Sequence, residues 1–111
     1  MNKIEHIGIA VNNLEKSNEL FSKLFSQNPY KTEIVESESV STSFFNVGTT
    51  KIELLEATNA ESPIAKFIAK KGEGIHHVAF DVEDIRAEMK RLKEAGFILL
   101  NEEPKKGADN K

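Results

Sequence analysis

Three histidines, His6, His76 and His77, and one carboxylate, Glu53, are the side chains best suited to bind a metal or move a proton. A shift of 71 residues lays His6–Val11 (HIGIAV) on His77–Val82 (HVAFDV). The same shift lays Asn13-Leu14 on Asp84-Ile85 and Leu20-Phe21 on Arg91-Leu92. A histidine at one place in two like units meets its counterpart when the units pair symmetrically. Alternate residues of a strand share a face, so Ile4, His6, Gly8 and Ala10 lie together, and His77, Ala79 and Asp81 lie on the matching face. Two imidazoles converging from adjacent strands suit a first-row divalent metal, and Gly8, Ala10 and Ala79 leave room for a ligand. The plainer reading of each histidine is a structural residue satisfied within the fold. By the same alternation His76 faces away from His77, as a packing or outer-shell group. In Lys51–Leu55, Glu53 shares a face with Leu55 opposite Ile52 and Leu54. A carboxylate in an apolar strand is costly unless paired or coordinated, so Glu53 is either a third ligand or a solvated outer-face residue. Glu56, at the strand end, is expected to be exposed.

The secondary structure that carries these residues follows from pattern. Lys3–Val11 has the near-alternating β-branched residues of a strand. Asn12 or Asn13 caps a helix carrying Leu14, Leu20, Phe21, Leu24 and Phe25, which Asn28-Pro29 ends. Strands follow at Lys31–Glu36, Val40–Val47 and Lys51–Glu56, the last two joined through Gly48-Thr49-Thr50. Ser62-Pro63 opens a helix with Ile64, Ala65, Phe67 and Ile68 on its apolar face, ended by Gly72 and Gly74. Ile75–Val82 is a strand, Asp84 caps a helix carrying Ile85, Met89 and Leu92 that ends at Gly96, and Phe97–Leu100 is a final strand. The repeat therefore reads as strand, cap and helix twice. The first half completes βαβββ, and the second, as far as Lys111, has room for one more strand.

Composition removes other classes. At 111 residues the chain is one domain. With 39% hydrophobic and 30% charged residues it is expected to be globular rather than disordered. The net charge of −3, without a basic face, argues against nucleic acid as a partner. The absence of Cys excludes disulfides, thiolate ligands and thiol nucleophiles. The first residues show no signal-peptide pattern and no apolar run is long enough to span a membrane, so a cytoplasmic protein without membrane contact is expected. No GxGxxG, P-loop or GxSxG occurs. The helix charges Glu15, Lys16, Glu19, Lys23, Lys90, Arg91, Lys93 and Glu94 read as solvated faces.

EHIGIAV around His6, the strand KIELLE, the block SPIAKFIAKKGEGIHHVAFDVEDI and the stretch EEPKKGA together resemble the methylmalonyl-CoA epimerases, a branch of the vicinal oxygen chelate superfamily that also includes glyoxalases, ring-cleaving dioxygenases and bleomycin-resistance proteins. The resemblance covers essentially the whole chain. It implies an α+β fold of paired βαβββ modules cupped around a metal, the second module incomplete as far as Lys111: module one at about 1–57, a connecting helix at about 62–71 and a partial second module at about 75–111. It implies His6, Glu53 and His77 as ligands of a divalent metal ion such as Co²⁺ or Mn²⁺. The family's fourth ligand, a Glu that also serves as base, has no counterpart before Lys111. A second family base falls at Thr42, which cannot act as one at neutral pH. The implied reaction interconverts (R)- and (S)-methylmalonyl-CoA by 1,1-proton transfer through an enolate, and the implied partners are a small-molecule acyl-CoA substrate and a second copy in a homodimer. Alternatives within the resemblance are a glyoxalase-type isomerase, an Fe(II) dioxygenase, a metal-free small-molecule binding module and an inactive fragment.

Overall fold

The computed structural model describes residues 3–96. The elements run β1 (Lys3–Ala10), α1 (Leu14–Phe25), β2 (Lys31–Val35), a single 3₁₀ turn at Glu36–Glu38, β3 (Val40–Val47), β4 (Thr50–Ala57), α2 (Pro63–Lys71), β5 (Gly74–Asp81) and α3 (Ile85–Glu94). The five strands form one sheet in the order β2-β3-β4-β1-β5. β1 is parallel to β4 and antiparallel to β5. The mixed α+β fold, with a complete βαβββ unit followed by the start of a second, is the one the sequence predicts. The expected strand at Phe97–Leu100 lies outside the described residues.

Alternation along β3 and β4 divides the apolar residues between two faces. Val11, Phe45 and Leu54 are buried on the back face, and Ile9, Leu14, Phe21, Phe25 and Ile52 pack against them, so that α1 covers this side. Ala10, Val40, Leu55 and Ile64 form a second buried cluster on the front face, where Phe67 and Ile68 of α2 close one end. α1 begins where the Asn13 side chain accepts a hydrogen bond from the Lys16 amide (3.0 Å) and stops at Ser26, in the left-handed conformation. It thus ends short of Asn28-Pro29. α3 begins in the same manner, Asp84 Oδ1 accepting from the Ala87 amide at 3.0 Å. Both residues of each cap pair are 71 apart, so the repeat extends to the capping bonds.

The β1–β5 ladder is not uniform. Ile4 opposes Phe80 and His6 opposes Ala79, which leaves Glu5 as an extra residue on β1. Gly8 opposes His77 and Ile9 opposes Ile75, which leaves His76 as an extra residue on β5. These are β-bulges, which break alternation and re-aim side chains. Two expectations fail here for that reason. Ile4 is turned from the face that His6, Gly8 and Ala10 share, and His76 is not directed away from His77.

Candidate functional site

β1, β4 and β5 lie side by side, and the front face of that trio carries the site. One rung across the sheet reads Phe44, Glu53, Gly8, His77. His6 sits one turn of alternation back from Gly8. The structure brings together all three ligands expected from the sequence: His6 Nε2 and His77 Nε2 are 3.0 Å apart, and they lie 3.5 and 3.4 Å from Glu53 Oε1. Glu53 is 4% exposed, which removes the solvated outer-face reading. Gly8 has a specific task. A Cβ on it would lie 2.2 Å from His77 Cε1, so the space the small residue leaves is filled by the His77 ring itself.

The three donors could hold one cation. Two donors each about 2.0–2.2 Å from a single first-row ion stand roughly 3.0–3.5 Å apart when the angle between them is between about 90° and tetrahedral. The observed separations fall in that range. Two imidazoles and a carboxylate are also a donor set such ions accept. A buried carboxylate facing two ring nitrogens needs positive charge or hydrogen between them, and a cation supplies it.

Glu5 escapes sequence reasoning. It is 6% exposed, accepts a hydrogen bond from His6 Nδ1 at 2.7 Å, and pairs through its other oxygen with Lys51 Nζ at 3.3 Å. Burial pushes the Glu5 carboxyl up, but the hydrogen bonds from His6 and Lys51, with their charges, outweigh it and hold the group below the usual carboxylate range. His76 Nδ1 is 3.0 Å from His77 Nδ1, and its ring meets Phe67 edge-on at 5.0 Å. Partial burial lowers the His76 pKa, the adjacent His77 lowers it further, and Glu53 opposes both. A signal for both was present: under the 71-residue shift Glu5 falls on His76, so each matched histidine is preceded by a residue able to hydrogen-bond its ring.

A cavity of about 260 Å³ opens on these groups, lined also by Glu38, Val40, Thr42, Leu55 and Ile64. Thr42 is inside it, but its hydroxyl donates to the Glu33 carbonyl at 3.2 Å. The carboxylate at that wall is instead Glu38, on the 3₁₀ turn just before β3, a turn the strand pattern did not predict. Ser62 holds this turn: its hydroxyl donates to the Glu38 carbonyl at 3.3 Å and accepts from the Ile64 amide at 3.1 Å, capping α2. Glu56, expected to be exposed, is half-buried and accepts from the Leu14 amide at the start of α1 (3.3 Å).

Residues 5–111 match the model of the glyoxalase/bleomycin resistance protein/dioxygenase superfamily, and the chain belongs to that superfamily. Within it, the relatives include epimerases of acyl-CoA thioesters. The ethylmalonyl-CoA/methylmalonyl-CoA epimerase of Cereibacter sphaeroides is 38% identical over 98% of the chain and 83% of its own length. The mitochondrial methylmalonyl-CoA epimerase of Bos taurus is 35% identical over the whole chain, which spans 64% of that relative. The structure of Streptomyces coelicolor methylmalonyl-CoA epimerase in complex with 2-nitronate-propionyl-CoA superposes with a TM-score of 0.87 at 30% identity, over 99% of this chain and 81% of that one. Homology thus supports an epimerase in general terms. No helix among the described residues is long and apolar enough to cross a membrane.

Proposed function

We propose that the protein epimerises methylmalonyl-CoA, moving one proton at the carbon between the thioester and the free carboxylate. The observation that carries this reading is the convergence of His6, Glu53 and His77 on a cavity whose remaining wall is mostly apolar. Its volume of about 260 Å³ is near the lower end of small-molecule sites, which begin at about 300 Å³. It suits the acyl head, with the CoA portion outside. Val40, Leu55 and Ile64 offer a surface for the methyl group.

His6, Glu53 and His77 would hold a divalent cation, which when bound acts as a Lewis acid on the substrate oxygens and so favours the enolate. The rest falls to side chains. The apolar wall excludes water and orients the acyl group. Glu38, at the cavity wall outside the ligand set, is the group we assign to proton transfer on one face of the carbon, a role commonly worth about 10²–10⁴-fold. No electron changes hands, so the absence of Cys is no objection. The test is incubation of the Co²⁺- or Mn²⁺-supplemented protein with methylmalonyl-CoA in D₂O, with deuterium at C2 followed by mass spectrometry. One deuterium gained per molecule is expected. Metal bound with no deuterium gained would overturn the reading, and oxygen consumption would redirect it to a dioxygenase.

A further inference from the structure

We infer that Glu5 and His76 are positioning residues, each setting which ring nitrogen of the following histidine faces the cavity. The inference rests on the ligand set proposed above and adds two residues to it. Each is the extra residue of a bulge, and the two occupy matched positions of the repeat. Each contacts the Nδ1 of its neighbour, at 2.7 Å for Glu5 and 3.0 Å for His76, while both Nε2 atoms point at Glu53.

The two partners act differently because their chemistry differs. An ionised carboxylate can only accept, and Glu5 pairs through its second oxygen with the Lys51 ammonium at 3.3 Å. His6 must therefore carry its hydrogen on Nδ1, leaving Nε2 bare. An imidazole can donate or accept, so His76 adapts. Without a cation, His77 keeps its hydrogen on Nε2, toward His6 and Glu53, and accepts a hydrogen bond from His76. When a cation takes His77 Nε2, the His77 hydrogen belongs on Nδ1, where His76 Nδ1 accepts it, and the His76 hydrogen moves to its own Nε2. The pair neither gains nor loses a proton. The two facing Nδ1 atoms thereby keep their hydrogen bond in both states.

Nitrogen-15 NMR of labelled histidines, in metal-free and Zn²⁺-loaded protein, reads the tautomers directly. His6 is expected without hydrogen on Nε2 in both states, and the His77 hydrogen is expected on Nε2 before loading and on Nδ1 after it. Glu5→Leu should lose the His6 preference and weaken Zn²⁺ binding about 10–100-fold, as loss of an outer-shell partner commonly does. Glu5→Gln retains an accepting oxygen and should keep the tautomer and recover part of the affinity. His76→Phe should lose the Nδ1 hydrogen preference of loaded His77. An unchanged His6 tautomer in Glu5→Leu, or Zn²⁺ affinity unchanged in both Glu5→Leu and His76→Phe, would overturn the inference. Should Glu5→Leu not fold, the wild-type protein decides: a His6 hydrogen on Nε2 sinks it. A wild-type protein that binds no Zn²⁺, yet whose His6 tautomer responds to Glu5→Leu, would refute the ligand set and leave the positioning role standing.

Discussion

At Gly8 the demand on one residue is steric. The His77 ring lies where a Cβ would stand, 2.2 Å from the nearest ring atom, and that atom belongs to a ring already held by His6 and His76. Gly8→Ala should displace the ring and weaken Zn²⁺ binding about 10–100-fold, on the scale of a lost supporting contact. Gly74→Ala, where an added Cβ meets nothing within 4 Å, is the control and should leave calorimetric titration unchanged. Glu5 gives a prediction in pH. Its pKa is lower in the folded chain than its ordinary value of 4.5, so its ionised form stabilises the fold above that value. The contribution is lost as pH falls through the depressed folded pKa. Denaturation midpoints of wild type and Glu5→Gln should therefore differ at neutral pH and draw together on acidification below 4.5. His6 and His77 were legible in the sequence because residue type and repeat spacing both marked them, and Glu53 was a candidate because a carboxylate in an apolar strand is costly unless paired or coordinated. Glu5 was not, since a charged residue beside a strand histidine reads as solvent-facing until the bulge turns it inward.

Among the elements, the 3₁₀ turn depends most on one neighbour. Ser62 is fully buried and joins the turn that carries Glu38 to the first turn of α2. Ser62→Ala removes the cap and the tie together. It should cost about 1 kcal/mol of stability, the usual worth of an N-cap, seen in chemical denaturation. It should also lower kcat while leaving Zn²⁺ affinity unchanged, because no ligand sits on either element. Alternation predicted the strands that bury one apolar face against α1, and the cap residues Asn13, Ser62 and Asp84 predicted the helix starts. The turn at Glu36–Glu38 escaped because Glu-Ser-Glu between two strands carries no apolar periodicity. The bulges escaped because one extra residue in a ladder leaves no mark in a single strand's own pattern.

On the scale of the whole molecule, the three candidate ligands come from three adjacent strands, β1, β4 and β5. A cation seated among them cross-links the first βαβββ unit to the strand that opens the second. Any ligand that binds only the folded state stabilises it by mass action, about 2.7 kcal/mol at a hundredfold excess over Kd. Zn²⁺ should therefore raise the thermal midpoint, a chelator should return it, and Glu53→Gln should remove most of the gain. Absence of a midpoint shift in wild type would count against the ligand set. The pairing of the two units was legible in the 71-residue repeat. That both tandem histidines would face the cavity was not, because the bulge that turns His76 depends on the register of a partner strand.

The two bulges lie on opposite strands, so each undoes the other. Outside them, at Ile4–Phe80 and at Ile9–Ile75, the ladder keeps one common register, and between them the rungs His6–Ala79, Ile7–Val78 and Gly8–His77 are offset by a residue. The arrangement resembles a frameshift and its suppressor, confined to the stretch where the histidines meet. Had the outer register run through unbroken, His76 rather than His77 would stand opposite Gly8. The tandem histidines are thus two candidates for one seat, and a small slip of the strand would exchange them while keeping an imidazole there.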